Sequence, residues 1–166
     1  PKRIEIADLD LDGKPEVVLS SQGNNSVTVL VNQSSLGSIS FSPIAPISIV
    51  IPGAASTEGL AVEDLNGDKR PEIVTSQFQT NSDIYIISNA SSPGSFSAGA
   101  IRTSTVGVPI KNIRVGDLDG DRKPDIAYTK LTSSEVGLLL NQSTPTTLNF
   151  SAAPSVATDV TPWGID

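Results

Sequence analysis

Asp8, Asp10, Asp12 and Glu16 fall within nine residues, D-L-D-L-D-G-K-P-E, with an acid at every second position before the glycine. Carboxylates crowded in this way repel one another unless a cation sits among them. The pattern returns as D-L-N-G-D-K-R-P-E over 64–72 and as D-L-D-G-D-R-K-P-D over 117–125. Counting each loop from 1 to 9, oxygen-bearing side chains occupy positions 1, 3 and 5. They are Asp8, Asp10 and Asp12 in the first loop, Asp64, Asn66 and Asp68 in the second, and Asp117, Asp119 and Asp121 in the third. Position 9 is again an acid: Glu16, Glu72 or Asp125.

Hard oxygens on alternate residues of a tight loop suit calcium, which takes about six to eight oxygens in flexible geometry. Magnesium, with its smaller and stricter octahedron, fits less well. Position 7 (Lys14, Arg70, Lys123) carries a cationic side chain that must point away, so it is expected to offer its backbone carbonyl. Pro15, Pro71 and Pro124 at position 8 bias that residue toward extended geometry and can open the next strand. With a bidentate acid at position 9, the expectation is about three structural calcium ions per chain. Their charge would nearly cancel the formal −7 of the protein.

Two rival readings are weaker. Asp-Gly and Asn-Gly dipeptides mark solvated hairpin turns, but that does not account for three copies with one spacing. An EF-hand needs an acid at position 12, where this sequence has Leu19, Thr75 and Tyr128, and helices on either side. The three loops also differ. Gly13 stands at position 6 of the first, whereas Gly67 and Gly120 stand at position 4 of the others. If position 6 requires positive φ, Lys69 and Arg122 carry a strain of about 1 kcal/mol. Neutral Asn66 makes the second loop the weakest expected binder.

The elements that must hold these loops repeat with them. The first Asp recurs after 56 and then 53 residues. Each loop is preceded by an alternating run (I-E-I-A, L-A-V-E, I-R-V-G) and followed by an apolar one (E-V-V-L-S, E-I-V-T-S, D-I-A-Y-T). A third run covers Val27–Asn32, Ile84–Asn89 and Val136–Asn141, and a weaker fourth lies near Ile47–Ile51 in the first unit. Runs of this length between Gly, Asn, Ser and Pro clusters read as strands. Four strands per unit without a helical period predict an all-β chain of β-propeller blades, each of four antiparallel strands. Stacked sandwich sheets would not explain the regular return of the loop. The units run approximately over 2–57, 58–110 and 111–162, with W-G-I-D (163–166) starting a fourth. Phe41, Phe96 and Phe150 are expected to recur in register as core.

Composition narrows the function. The 166 residues contain neither cysteine nor histidine, which removes disulfides, thiol nucleophiles, the usual zinc sites and His-based acid/base chemistry. Eleven of the 18 acids lie in the three loops, and no basic run answers them. That argues against nucleic acid and anionic membrane surfaces as partners. No apolar run approaches the roughly 18–20 residues of a membrane span, so membrane insertion is not expected. No stretch reads as a signal peptide.

With D-L-D-G-D-R-K-P-D-I-A and V-G-L-L-L-N-Q-S in view, the sequence resembles the FG-GAP/VCBS repeats of integrin α subunits and many secreted bacterial proteins. The resemblance covers essentially the whole chain. It implies four-stranded blades in a ring, calcium in the loop between a blade's first and second strands, and an extracellular or cell-surface setting. The literal Phe-Gly and Gly-Ala-Pro signatures are missing, which places the chain nearer the bacterial branch. Three units are too few to close a ring of four to eight blades. A fragment of a longer secreted protein is therefore expected first, and self-association to complete a ring second.

The leading functional expectation is a calcium-stabilised binding or adhesion module for a protein or carbohydrate ligand. The alternative is the propeller part of a secreted, lyase-like polysaccharide enzyme. Its base would come from Glu63, Asp83, Tyr85, Tyr128, Lys130 or Glu135, whose spacing pairs none of them. No catalytic constellation is legible. Trp163 is a candidate ligand contact, because the repeat puts Lys2, Glu58 and Lys111 at that place. Asn32, Asn89 and Asn141 head N-x-S triplets that read as strand ends rather than glycosylation sites.

Overall fold

The computed structural model describes residues 1–21, 23, 25–43, 56–78 and 82–159. Alternating apolar residues bounded by turn formers produce strands throughout, and among the described residues there is no helix. Consequently none is long and apolar enough to cross a membrane. The strands are β1 (Arg3–Ala7), β2 (Glu16–Ser21), β3 (Ser26–Asn32), β4 (Phe41–Pro43), β5 (Thr57–Glu63), β6 (Glu72–Gln77), β7 (Asp83–Asn89), β8 (Ala98–Thr105), β9 (Ile110–Gly116), β10 (Asp125–Lys130), β11 (Glu135–Asn141) and β12 (Phe150–Ala157). They form three antiparallel four-stranded sheets in sequence order, β1-β2-β3-β4, β5-β6-β7-β8 and β9-β10-β11-β12. This is the blade architecture expected of the repeat. The expected strand at Ile47–Ile51 lies outside the described residues.

The alternation of side chains along each strand gives every sheet two apolar faces. One core lies between the first and second sheets, built on Val18, Val27, Val29, Leu60, Ile73, Tyr85 and Ile87. The other lies between the second and third, built on Val74, Ile84, Ile86, Ile113, Ile126, Tyr128 and Leu139. The second sheet therefore receives its predecessor on one face and its successor on the other. Matched by register, the predecessor face carries Ile4, Leu60 and Ile113; Val17, Ile73 and Ile126; and Leu30, Ile87 and Leu139. In the second and third sheets these residues are buried. In the first sheet Ile4 and Ile6 are 60% and 64% exposed, because among the described residues no sheet packs there.

This explains a departure from the expected core. Phe41 and Phe150 pair with the last residue of the third strand, Asn32 and Asn141, but Ala98 holds that place opposite Asn89. Phe96 stands two residues earlier, in register with Ile39 and Leu148. Only Phe96 and Phe150 pack against a core; Phe41, on the uncovered face, is 36% exposed. The phenylalanines are thus neither in one register nor uniformly core.

Tyr128 packs its ring over Gly137, its cross-strand partner. A Cβ at Gly137 would overlap that ring. Gly137→Ala should therefore destabilise the chain by roughly 1–3 kcal/mol, read from the urea midpoint. An unchanged midpoint would mean the ring has another place to go.

Candidate metal centres

Each acidic loop joins the first and second strands of a sheet, and its geometry is built from its own carboxylates. The position 1 acid accepts the N–H of position 6: Gly13 to Asp8 Oδ2 at 3.0 Å, Lys69 to Asp64 Oδ2 at 2.8 Å, Arg122 to Asp117 Oδ2 at 2.9 Å. The position 3 side chain, including Asn66, accepts the N–H of position 5. The position 5 acid accepts the N–H of position 7 at 2.8 Å in every loop. The chain thereby wraps around the side-chain oxygens.

That wrapping requires left-handed backbone at both positions 4 and 6. Leu11, Gly67 and Gly120 have φ of 58°, 80° and 87° at position 4; Gly13, Lys69 and Arg122 have 85°, 74° and 71° at position 6. Strain is therefore not confined to the second and third loops. Each loop places glycine at one of two left-handed positions and an L-residue at the other.

The position 9 acid reaches further. Glu16, Glu72 and Asp125 are almost completely buried. One oxygen accepts the position 2 N–H: Leu9 at 2.8 Å, Leu65 at 3.0 Å, Leu118 at 2.9 Å. The other accepts the N–H of the asparagine ending the third strand: Asn32 at 3.3 Å, Asn89 at 3.5 Å, Asn141 at 2.8 Å. That asparagine was not foreseen as part of the site. Its Nδ2 donates to its own loop's position 8 carbonyl: Pro15, Pro71 or Pro124. Asn89 Nδ2 also donates to Leu9 O at 2.8 Å, and Asn141 Nδ2 to Leu65 O at 2.7 Å, both in the preceding sheet's loop. Its Oδ1 accepts the N–H of the serine two residues on. The threefold recurrence of N-x-S was the available signal, and it reports this clamp.

The loops converge unequally. Carboxylate oxygens of Asp8, Asp10 and Glu16 lie within 4.8 Å of one another, as do those of Asp117, Asp119 and Asp125. Asn66 takes the third acid's place in the second loop, beside Asp64, Asp68 and Glu72. The position 5 acids Asp12 and Asp121 stand outside these trios. In the first loop, Asp8 Oδ1 and Asp10 Oδ2 are buried with no hydrogen-bond partner. Asp10 is covered by the second sheet's last hairpin, where Gly94 N donates to Asp10 O at 3.2 Å. Lys14 is exposed, and its Nζ lies 3.8 Å from Asp12 Oδ2 of its own loop. Trp163 lies outside the described residues.

Burial pushes Glu72 up to about 7, against two opposing backbone N–H bonds and with the charges of Asp68 and Asp64 adding to the rise. Burial likewise raises Asp10 and Glu16, again reinforced by neighbouring loop carboxylates. These acids are held where ionisation is costly unless a cation joins them.

The structure brings the candidate bases together as two pairs on different sheets, pairings that their spacing did not show, rather than as one cluster. Glu63 flanks the second acidic loop, whereas Asp83, Tyr85, Lys130 and Glu135 lie toward the opposite end of their sheets. Lys130 Nζ donates to Glu135 at 3.0 Å and Tyr85 Oη to Asp83 at 3.2 Å. Burial raises both Tyr85 and Tyr128, which disfavours either as a base.

Two predictions follow from this geometry. Lys69→Gly and Arg122→Gly should each stabilise the chain by about 0.5–1 kcal/mol, and Leu11→Gly likewise, while Gly67→Ala and Gly120→Ala should cost about 1 kcal/mol. Denaturant titration checks the signs. The second concerns pH. Glu72 has a higher value folded than its ordinary 4.5, so between about 4.5 and 7 the folded chain keeps a proton that the unfolded chain has lost. Stability of the metal-free chain must fall as pH rises through that window. In chelator, the melting temperature at pH 5.5 should exceed that at pH 8 by on the order of 5 °C, and Glu72→Gln should reduce the difference.

Comparison with known proteins places these loops in a family. The FG-GAP-like repeat model matches residues 8–75 and again 64–128, spanning all three acidic loops. No curated protein matches the chain, and no solved structure does. The two overlapping matches cover well over half of the sequence, and the chain belongs to the FG-GAP-like repeat family.

Proposed function

We propose that the protein is a calcium-stabilised, extracellular β-propeller module that binds a protein or carbohydrate ligand. Repeats of this family are typical of extracellular proteins. The observation that carries the calcium reading is the pair of buried, unpartnered oxygens, Asp8 Oδ1 and Asp10 Oδ2, in a trio closed by Glu16. Oxygen-only donors, several of them anionic, are the set that calcium takes. Asp8, Asp10, Asp12 and Glu16 would hold the first ion with the Lys14 carbonyl. Asp64, Asn66, Asp68, Glu72 and the Arg70 carbonyl would hold the second. Asp117, Asp119, Asp121, Asp125 and the Lys123 carbonyl would hold the third. The ion would lock a loop that its own backbone already wraps. Ligand recognition falls to the loop surface, where an open groove of about 450 Å³ between the second and third loops sets Glu63 and Asn66 against Arg122 and Lys123.

Native mass spectrometry in calcium should find three ions, the second loop filling last, and Asp10→Asn should remove the first. Each site at 100 times its dissociation constant adds about 2.7 kcal/mol of stability, lost in chelator. Because protons compete with the ion for the same carboxylates, this gain should grow from pH 5.5 to pH 8. No binding at millimolar calcium would return the loops to solvated turns. Calcium-dependent retention on a glycan or protein array, abolished by Arg122→Glu with Lys123→Glu, would support the ligand reading.

A further inference from the structure

The second loop holds the only Asn-Gly step in the sequence, Asn66-Gly67. An asparagine side chain can be attacked by the nitrogen of the next peptide, and glycine leaves that approach open because it has no Cβ. Every other asparagine of the chain precedes a residue that carries one.

Two hydrogen bonds of the wrapped loop bear on this attack. Gly67 N, the attacking atom, donates to Asp64 Oδ1 at 2.8 Å, so a carboxylate already sits on the proton that the nitrogen must lose. Asp68 N donates to Asn66 Oδ1 at 2.8 Å. That bond polarises the carbonyl under attack and would steady the negative charge gathering on its oxygen. Water reaches the step as well. Gly67 is exposed, Asn66 is half-buried, and both line the open groove between the second and third loops. In the first loop the same position is Asp10, buried beneath a hairpin whose Gly94 N donates to its carbonyl. Thr146 stands at the place of Gly94 in the next hairpin, and its N–H makes no such bond to Asn66.

The third loop shows that the product fits. Asp119 stands where Asn66 stands and is also followed by glycine. Its Oδ1 accepts the Asp121 N–H at 3.0 Å, and Gly120 N donates to Asp117 Oδ1 at 2.7 Å. An aspartate at position 3 therefore keeps both bonds.

We propose that Asn66 is a self-modifying residue, deamidated to aspartate by its own loop. Asp64 takes the Gly67 N–H proton as that nitrogen bonds to Asn66 Cγ. The bond from Cγ to the side-chain nitrogen breaks, and that nitrogen leaves as ammonia with the proton, closing a cyclic imide. Water then opens the ring. Cleavage between Cγ and the Gly67 nitrogen gives aspartate on an unchanged backbone, whereas cleavage at the main-chain carbonyl gives isoaspartate. In sum, water enters, ammonia leaves and the loop gains a negative charge. The aspartate form has the acids of the third loop, so the loop expected to fill last gains calcium affinity slowly and irreversibly. That gain rests on the calcium reading; the conversion itself does not.

The test holds the intact chain warm in chelator at mildly alkaline pH. Peptide mass spectrometry, with fragmentation that separates aspartate from isoaspartate, then follows residue 66. Conversion should be fastest at Asn66, and at least about tenfold faster in the folded chain than in urea. Asp64→Asn should remove that advantage. The proposal is overturned if Asn66 stays intact, converts no faster folded than unfolded, or yields isoaspartate alone. A folded Asp64→Asn chain that converts as fast as the native one overturns it too; should that variant unfold, the native comparison in urea still decides. Calcium titration then tests the consequence. Asn66→Asp should tighten binding at the second loop by about tenfold. Equal affinity in both chains would overturn the gain and leave the calcium reading standing. No calcium at the second loop of either chain would sink that reading and leave the conversion untouched.

Discussion

The buried carboxylate at the end of each acidic loop is the constraint on which the rest of the molecule depends. Glu16, Glu72 and Asp125 each bind one N–H of their own loop and one N–H at the end of the third strand. A single side chain thus fixes the loop's mouth, the start of the second strand and the end of the third. The asparagine amide then carries the connection to the preceding unit. From Glu16 the bonds run through Leu9 to Asn89, on to Glu72, through Leu65 to Asn141, and so to Asp125 and Leu118. Removing Glu72 would leave two buried N–H donors unpaired, each costing about 1–3 kcal/mol, and removing Glu16 or Asp125 would leave one buried and one part-buried.

Because every unit touches only its neighbours, the energetics are close to one-dimensional. The apolar content, 37%, is low for a single compact core, but the chain concentrates it into two thin layers between sheets. The end faces show what one missing layer means. Chemically equivalent residues are buried at Ile113 and Leu60 and exposed at Ile4, with no change in strand or register. Exposure here is a property of position in the array and not of the residue.

That distinction sets how much was legible in the sequence. Strand order and loop position could be read because both follow from local periodicity and from turn residues at fixed offsets, and repetition averaged away their noise. Which face of a sheet meets a neighbour could not be read, since alternation gives two equally apolar faces. The displacement of Phe96 from Phe41 and Phe150 went unseen because matching by residue type hides a two-residue shift that only pairing with Asn89 reveals. The left-handed turn at position 4 was concealed by Leu11, a residue that seldom marks positive φ. Asn32, Asn89 and Asn141 were visible as a pattern, yet their donors act between units far apart in sequence, where no spacing rule applies.

The solvated-turn reading of the loops can be weighed on burial and charge together. An acid in a solvated turn keeps its ordinary titration, since water screens its neighbours and solvates its charge. Glu72 is wholly buried and pushed to about 7 despite two N–H donors that favour the anion. Desolvation and the carboxylates beside it therefore outweigh both hydrogen bonds. Without a cation, the folded loop lowers this cost by holding a proton, although one of the two oxygens that accept these N–H bonds then becomes an O–H donor. An amide side chain at position 9 has a single acceptor oxygen, so only an acid offers one to each of the two N–H donors. Positive charge entering the loop would let the carboxylate keep both bonds and stay ionised, and the unpartnered oxygens of Asp8 and Asp10 mark where it would stand.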